Sequence, residues 1–295
     1  MIKSIMTTMK RKEKKMTKIL NVVADANIIP YYYNITGKKM RVLVSYFYGQ
    51  GLICKLVHEY REKMIEDLYL DSGAYSAWKG DVNISISEYM KYLQMFGHHF
   101  DYCFNLDDDF TNPDHNFNNQ VLLENGLPEG FKRILPVIHH SENPLEEIGI
   151  YFEQGHDYQA VGSNKKLNDD TWSKIKDKYP DLKLHMFGNL NRKMLFKHKP
   201  YSVDAATYAL KAGYGFIFYY DPIDGEEYSI YLGEMENSDD TKLYFSSFHH
   251  KKELEEHLHN EFKFGYEDLL KSSYNKWVVN LHYFRQLEDL VNASK

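Results

Sequence analysis

A closed α/β barrel is the fold this sequence predicts, on three observations. Short apolar runs recur between residues 18 and 220, each ending in polar or small residues. Helix-compatible stretches separate many of them, and strand alternating with helix builds a parallel sheet with right-handed crossovers. No GxGxxG or GxxxxGKS/T fingerprint follows the early runs, which argues against an open dinucleotide-binding or P-loop sheet. The class is therefore a (β/α)8 TIM-like barrel, extended by a C-terminal β-hairpin and helices.

The strand candidates, in order, are KILNVVA (18–24), RVLVSYF (41–47), LYLDSG (68–73), YCFNLD (102–107), RILPVIH (133–139), YQAVGS (158–163), LKLHMFG (182–188), YSVDAA (201–206) and GFIFYY (215–220). They are too short for most helices and rich in β-branched and aromatic residues, as buried strands are. Eight or nine such runs favour closure over an open sheet. ISEYMKYLQMFG, after the third run, sets Tyr89, Tyr92, Leu93 and Phe96 on one helical face. NPLEEIGIYFEQG begins after Ser141 with Pro144 and ends on Gly155, a helix start and stop. DDTWSKIKDKYP supplies the helix after the sixth run.

Beyond residue 220 the rhythm changes. Turn signals at Asp224-Gly225 and Asn237–Asp240 flank alternating segments, a hairpin pattern. Residues 250–293 read as helical, burying Leu254, Leu258, Phe262, Trp277, Leu281 and Leu287. The expected organisation is a disordered basic tail (1–17), a catalytic barrel (18–220) and a C-terminal hairpin with helices packed on it (221–295).

The 43% hydrophobic and 26% charged content suffices for a large core, and the net charge of −6 argues against a protein that coats nucleic acid non-specifically. The 25 tyrosines suit ring-binding clefts, although a Lys/Ile/Asn/Tyr-rich coding bias also yields them. Cys54 and Cys103 are too few for a disulfide framework and lack zinc-finger spacing, which suits a reducing cytoplasm. No run approaches membrane-spanning length, so no membrane partner is expected.

Active sites of such barrels lie at the C-terminal ends of the strands. Those ends carry Asp71-Ser72, Asn105 with Asp107–Asp109, His139-His140, Gly162-Ser163, Gly188-Asn189 and Asp204. Asp71 and Asp204 each follow apolar strand residues and precede small ones. Small neighbours such as Gly73, Ala74, Gly162 and Gly188 let a planar ligand approach the backbone, and Tyr75 can stack on a ring. Asp-Ser-Gly by itself is equally a turn or helix-cap sequence.

DSGAYSAW resembles the Asp-Ser-Gly-Gly-Phe signature of tRNA-guanine transglycosylases, and YSVDAATY resembles their nucleophile segment, Gly-(Val/Ile)-Asp-Met-Phe-Asp. Between the two, FNLDDD, PVIHH, YQAVGS and HMFGNL follow the family's order of strand-end motifs, over roughly residues 40–210. The wording is nearer to the phage and bacterial 7-deazaguanine DNA transglycosylase-like relatives. The resemblance implies base exchange, with Asp204 as nucleophile and Asp71 as general acid/base. It further implies that Ser72, Gly73, Tyr75, Asp107 (or its neighbour Asp108), His139, Gly162, Ser163 and Gly188 hold the base. No metal and no cofactor is required. The implied partners are DNA and a 7-deazaguanine base such as preQ0 or a derivative, in the cytoplasm (the host's, for a phage-encoded chain). A homodimer is a compatible assembly.

Departures from that family narrow the substrate. No cysteine follows Cys103, so the zinc subdomain of the tRNA-acting members is missing and tRNA is disfavoured against DNA. The family's Gln is His139, its Gly-Gly is Gly162-Ser163, and the second Asp of its nucleophile pattern is absent. Arg192, Lys193, Lys197 and Lys199 are candidate phosphate contacts, or a solvated loop or helix face. Two rivals stand beside this reading. Asp107–Asp109, Asp114-His115 and His139-His140 would suit a metal-dependent barrel hydrolase or lyase, and a non-catalytic nucleic-acid-binding barrel is the other. The pairs His98-His99 and His249-His250 read as surface residues.

Overall fold

The computed structural model describes residues 16–128, 131, 134–139, 143–162, 167–234 and 241–294. Nine parallel strands form one sheet: β1 (Lys18–Val22), β2 (Met40–Ser45), β3 (Ile65–Asp71), β4 (Tyr102–Phe104), β5 (Ile134–Leu135), β6 (Val137–Ile138), β7 (Tyr158–Val161), β8 (Lys183–Met186) and β9 (Ser202–Ala205). The sheet is ordered β5-β4-β3-β2-β1-β9-β8-β7-β6. Its two ends are consecutive in the chain, split only by Pro136, which has no N–H to give a ladder. β5 pairs with β4 and β6 with β7, so these two short strands act as one barrel strand and the ring closes with eight.

Alternate residues point into the lumen, and they are unusually aromatic. Leu20, Leu43, Tyr69, Phe104, Leu135, Val137, Tyr158 and Ala160 form one buried cluster, joined by Val22, Tyr102, Phe187 and Tyr201. The helices cover the outside in a second, larger core. Ile86–Phe96, Pro144–Glu153 and Asp169–Lys178 are helical as expected, the first burying Tyr89, Tyr92 and Leu93. Pro113–Gly126 is a further helix, capped by Asn112 accepting from the His115 N–H.

Two boundaries differ from expectation. GFIFYY does not extend the barrel: β10 (Phe216–Tyr220) pairs antiparallel with β11 (Glu227–Tyr231), and β12 (Leu243–Tyr244) completes a separate three-stranded sheet. A ring already closed by β1 and β9 has no edge left for a ninth strand. Thr17 is not part of a loose tail either. It is buried, and its N–H donates to Asn292 Oδ1 at 2.8 Å, tying the start of β1 to the last helix; residues 1–15 lie outside the described ones.

The C-terminal helix Ser273–Ala293 packs along β10 and the helix Thr207–Gly213. Asn280 stitches the three together: it accepts from Phe218 N–H at 2.7 Å and donates to Tyr208 O at 2.9 Å. Among the described residues no helix is long and apolar enough to cross a membrane.

Candidate active site

Three carboxylates meet at the C-terminal mouth of the barrel. β3 delivers Asp71 as its last residue, in line with inward-facing Tyr69. β9 delivers Asp204, and the loop after β4 delivers Asp107. Asp71 is pushed up to about 8, chiefly by burial and then by the negative charges of Asp107 and Asp204; the N–H groups of Gly73 and Ser72 oppose the shift only in part. A carboxyl with that affinity keeps its proton at neutral pH.

Asp107 is aimed inward by two partners: Ser72 Oγ donates to Oδ1 at 3.2 Å, and His139 Nε2 is hydrogen-bonded to Oδ2. Asp108 turns away to His115, 2.8 Å off at the surface. The choice between neighbours is made by the helix Pro113–Gly126, whose buried amides grip the loop. Asn116 donates to Asp109 O at 2.7 Å, and Asn119 donates to Leu106 O at 2.9 Å. Neither asparagine stands out in the sequence. The Asn-Pro start at residues 112–113 marks their helix.

Asp204 has a different shell. Gly188 N–H donates to its Oδ1 at 2.8 Å, from a left-handed turn (φ 61°) that glycine adopts without strain. His185, fully buried on β8, brings Nε2 to 3.3 Å from the same oxygen, without the alignment of a hydrogen bond. Its Nδ1 lies 2.7 Å from Ser202 Oγ, which lies 2.6 Å from Tyr158 OH, which in turn reaches Tyr69 OH at 3.4 Å. This polar thread runs through the aromatic lumen beneath Asp204. Its residue types look like ordinary core at sequence level, and only inward register on β3, β7, β8 and β9 exposes the connection.

The expected glycines divide. A side chain at Gly73 (φ 81°) would strike Ser45 and Phe47, and one at Gly162 would strike the His139 ring. Both are small so that the mouth can assemble, and the space beside them is filled by protein. Only Gly188 is open, since a Cβ added there would meet nothing within 4 Å. Tyr75 is exposed and shares an aromatic wall with Trp78 and Phe110, centroids 6.1 and 6.3 Å from its own. Phe110 continues the wall to His139 at 4.9 Å. Ser163 and His140 lie outside the described residues.

The basic candidates also separate. Lys193 is exposed at the start of the helix Arg192–His198. Arg192 leans on the hairpin, 3.6 Å from Glu227, and Lys197 pairs with Asp169 at 2.6 Å. Lys199 sits before β9, at the opposite end from Asp204, and donates to Ser294 O. Asp107–His139 and Asp108–His115 are separate pairs. Among the described residues no three such groups at the mouth converge on a common ion position. Comparison with protein-family models and with curated proteins returns no match.

Proposed function

We propose that the chain is a base-exchange glycosyltransferase that replaces guanine in DNA with a 7-deazaguanine through an Asp204-glycosyl intermediate. The observation that carries the reading is the contrast between two carboxylates at one barrel mouth: Asp71, which holds a proton at neutral pH, and Asp204, oriented by a backbone donor and a buried imidazole. Paired acids with divergent environments are what acid/base and nucleophile roles demand.

In the first half-reaction an Asp204 oxygen bonds to C1′ as the C1′–N9 bond breaks. The electron pair leaves with the guanine, and the Asp71 proton neutralises it. In the second, ionised Asp71 takes the N9 proton of the incoming deazaguanine. That nitrogen bonds to C1′, and the ester to Asp204 breaks. Two inversions retain configuration, and no cofactor enters the balance. Asp107, aimed by Ser72 and His139, is the acceptor for the N–H edge of a guanine-like ring. The Tyr75–Trp78–Phe110 wall suits stacking of bases beside it, at a typical ~1–3 kcal/mol each. Lys193 is the basic side chain best placed for backbone phosphate.

Incubation with a guanine-containing oligonucleotide alone is expected to leave a denaturation-resistant protein–DNA adduct that preQ0 then discharges with base exchange, and Asp204→Asn is expected to abolish both adduct and exchange. An adduct of equal yield in the variant would refute the nucleophile. A nucleoside digest of DNA from expressing cells, read by mass spectrometry, identifies the inserted base.

A further inference from the structure

A second group of titratable side chains gathers on the C-terminal unit, none of them among the carboxylates of the barrel mouth. Asp221 follows β10 and Asp224 lies in the turn before β11, while His249 and His250 immediately precede the helix Lys251–Phe262. One ligand atom from each of the four lies within 4.8 Å of all the others. His250 Nδ1 is 2.6 Å from Asp221 Oδ2, and His249 Nε2 is 3.4 Å from Asp224 Oδ2.

From this geometry we infer that Asp221, Asp224, His249 and His250 form a binding site for a divalent transition-metal ion of the zinc class, which clamps the β10–β11 turn to the start of the helix. The donor set decides the class. Two imidazole nitrogens with two carboxylate oxygens suit Zn2+, whereas Ca2+ and Mg2+ take shells of oxygen alone. Tetrahedral coordination at zinc bond lengths spaces its ligand atoms about 3.4 Å apart, so the His249–Asp224 spacing already fits. The shorter His250–Asp221 pair holds a proton that the ion would displace.

The carboxylates are oriented from behind, as metal ligands are. Asp221 Oδ1 accepts from Ile223 N–H, and Asp224 Oδ1 from Glu226 N–H, both at 2.9 Å. Asp221 is fully buried, whereas His249 and His250 are 49% and 27% exposed, so the site has a protein floor and an open side for entry. Four protein ligands leave no open position, which makes the site structural. It would close a loop of the chain between Asp221 and His250 independently of any reaction at the barrel mouth, and does not depend on the activity proposed there.

The test uses the full chain freed of metal by chelator and dialysis. Titration with Zn2+ by calorimetry, and with Co2+ by the visible bands of a tetrahedral ion, is expected to show one equivalent bound and a raised melting temperature. His250→Ala and Asp224→Asn are each expected to weaken binding at least about 100-fold, the upper end for loss of a mere outer-shell partner. His99→Ala is the control, because His98 and His99 form the other surface histidine pair, with ring centroids 3.9 Å apart. Comparing melts in chelator separates a folding defect from lost binding, and the exposed Asp224 variant decides if His250→Ala does not fold. Failure to take up one equivalent, loss of binding in His99→Ala, or wild-type affinity in a folded Asp224→Asn would each overturn the site.

Discussion

Strand β3 places an aspartate at each end of the barrel lumen, and the two have opposite surroundings. Asp67, near the N-terminal end, is hydrogen-bonded to Arg41 and lies 2.7 Å from Lys18 Nζ. Arg41 is itself buried and also meets Glu66 at 2.8 Å and Glu288 at 3.1 Å, while Glu288 accepts from Ile19 N–H. Asp71, four residues on, has two carboxylates for electrostatic neighbours and burial besides. Charge at one end is neutralised to fasten the last helix to the barrel floor. At the other it is left in conflict. A carboxyl pushed up in this way keeps its proton at neutral pH, the form that the general-acid role proposed above requires. The difference separates the end that holds the barrel together from the end that carries the proposed chemistry.

The contrast breaks most directly at Asp71. Asp71→Asn is expected to slow base exchange by about 10²- to 10⁴-fold, the usual range for losing an acid/base group, while oligonucleotide binding persists. The wild-type rate should fall as pH rises through about 8, where the acid loses its proton, and the variant should lack that limb. Stability moves the other way. The unfolded chain ionises Asp71 from its ordinary 3.8 upward, whereas the folded chain keeps the proton to about 8, so stability is lost as pH rises across that window. The variant has no such loss and should gain on wild type between those limits, by at most a few kcal/mol. Urea melts at several pH values check this. Parallel stability curves for the two proteins would show that Asp71 carries no such shift.

At the other end the expected sign is reversed. Arg41→Met removes the buried cation that Asp67 and Glu288 share, leaving them to Lys18 and Arg285, and should lower folding stability by up to about 3–5 kcal/mol, the cost typical of breaking a buried pair from one side. Exchange per folded molecule should retain its limb near pH 8. A shifted limb would mean that the two ends are electrostatically coupled rather than divided in their roles.

Much of this was legible from residues in order. The barrel followed from the apolar runs, and Asp71 and Asp204 from their places at strand ends, whereas residues in order do not separate Asp107 from Asp108. The ninth run misled because GFIFYY has strand composition, and composition does not say which sheet a strand joins. The helix Pro113–Gly126 was hidden because its inner face is mostly amide, with Asn116, Asn119 and Gln120 buried beside a single aliphatic residue, Leu123. Buried amides that grip backbone carbonyls leave no apolar periodicity. His185 was invisible for a related reason. Its partners are Ser202 and Asp204, close only because β8 and β9 pair in register with His185 opposite Ser202.

His185 therefore tests how far the active end reaches into the lumen. His185 turns the Nε2 edge of its ring to Asp204 Oδ1 at 3.3 Å, while its Nδ1 is held 2.7 Å from Ser202 Oγ. His185→Phe keeps the ring between Phe104 and Phe187, whose centroids lie 4.8 and 4.6 Å away, and removes only the polar edge. With Asp204 held by Gly188 alone, kcat should fall by up to about 10²-fold, the penalty of a misplaced reacting group, with KM nearly unchanged. Ser202→Ala should reproduce part of that loss by freeing the ring at Nδ1. A packing role would instead raise KM or lower stability while leaving kcat intact, and that outcome would confine the active end to the three carboxylates at the mouth.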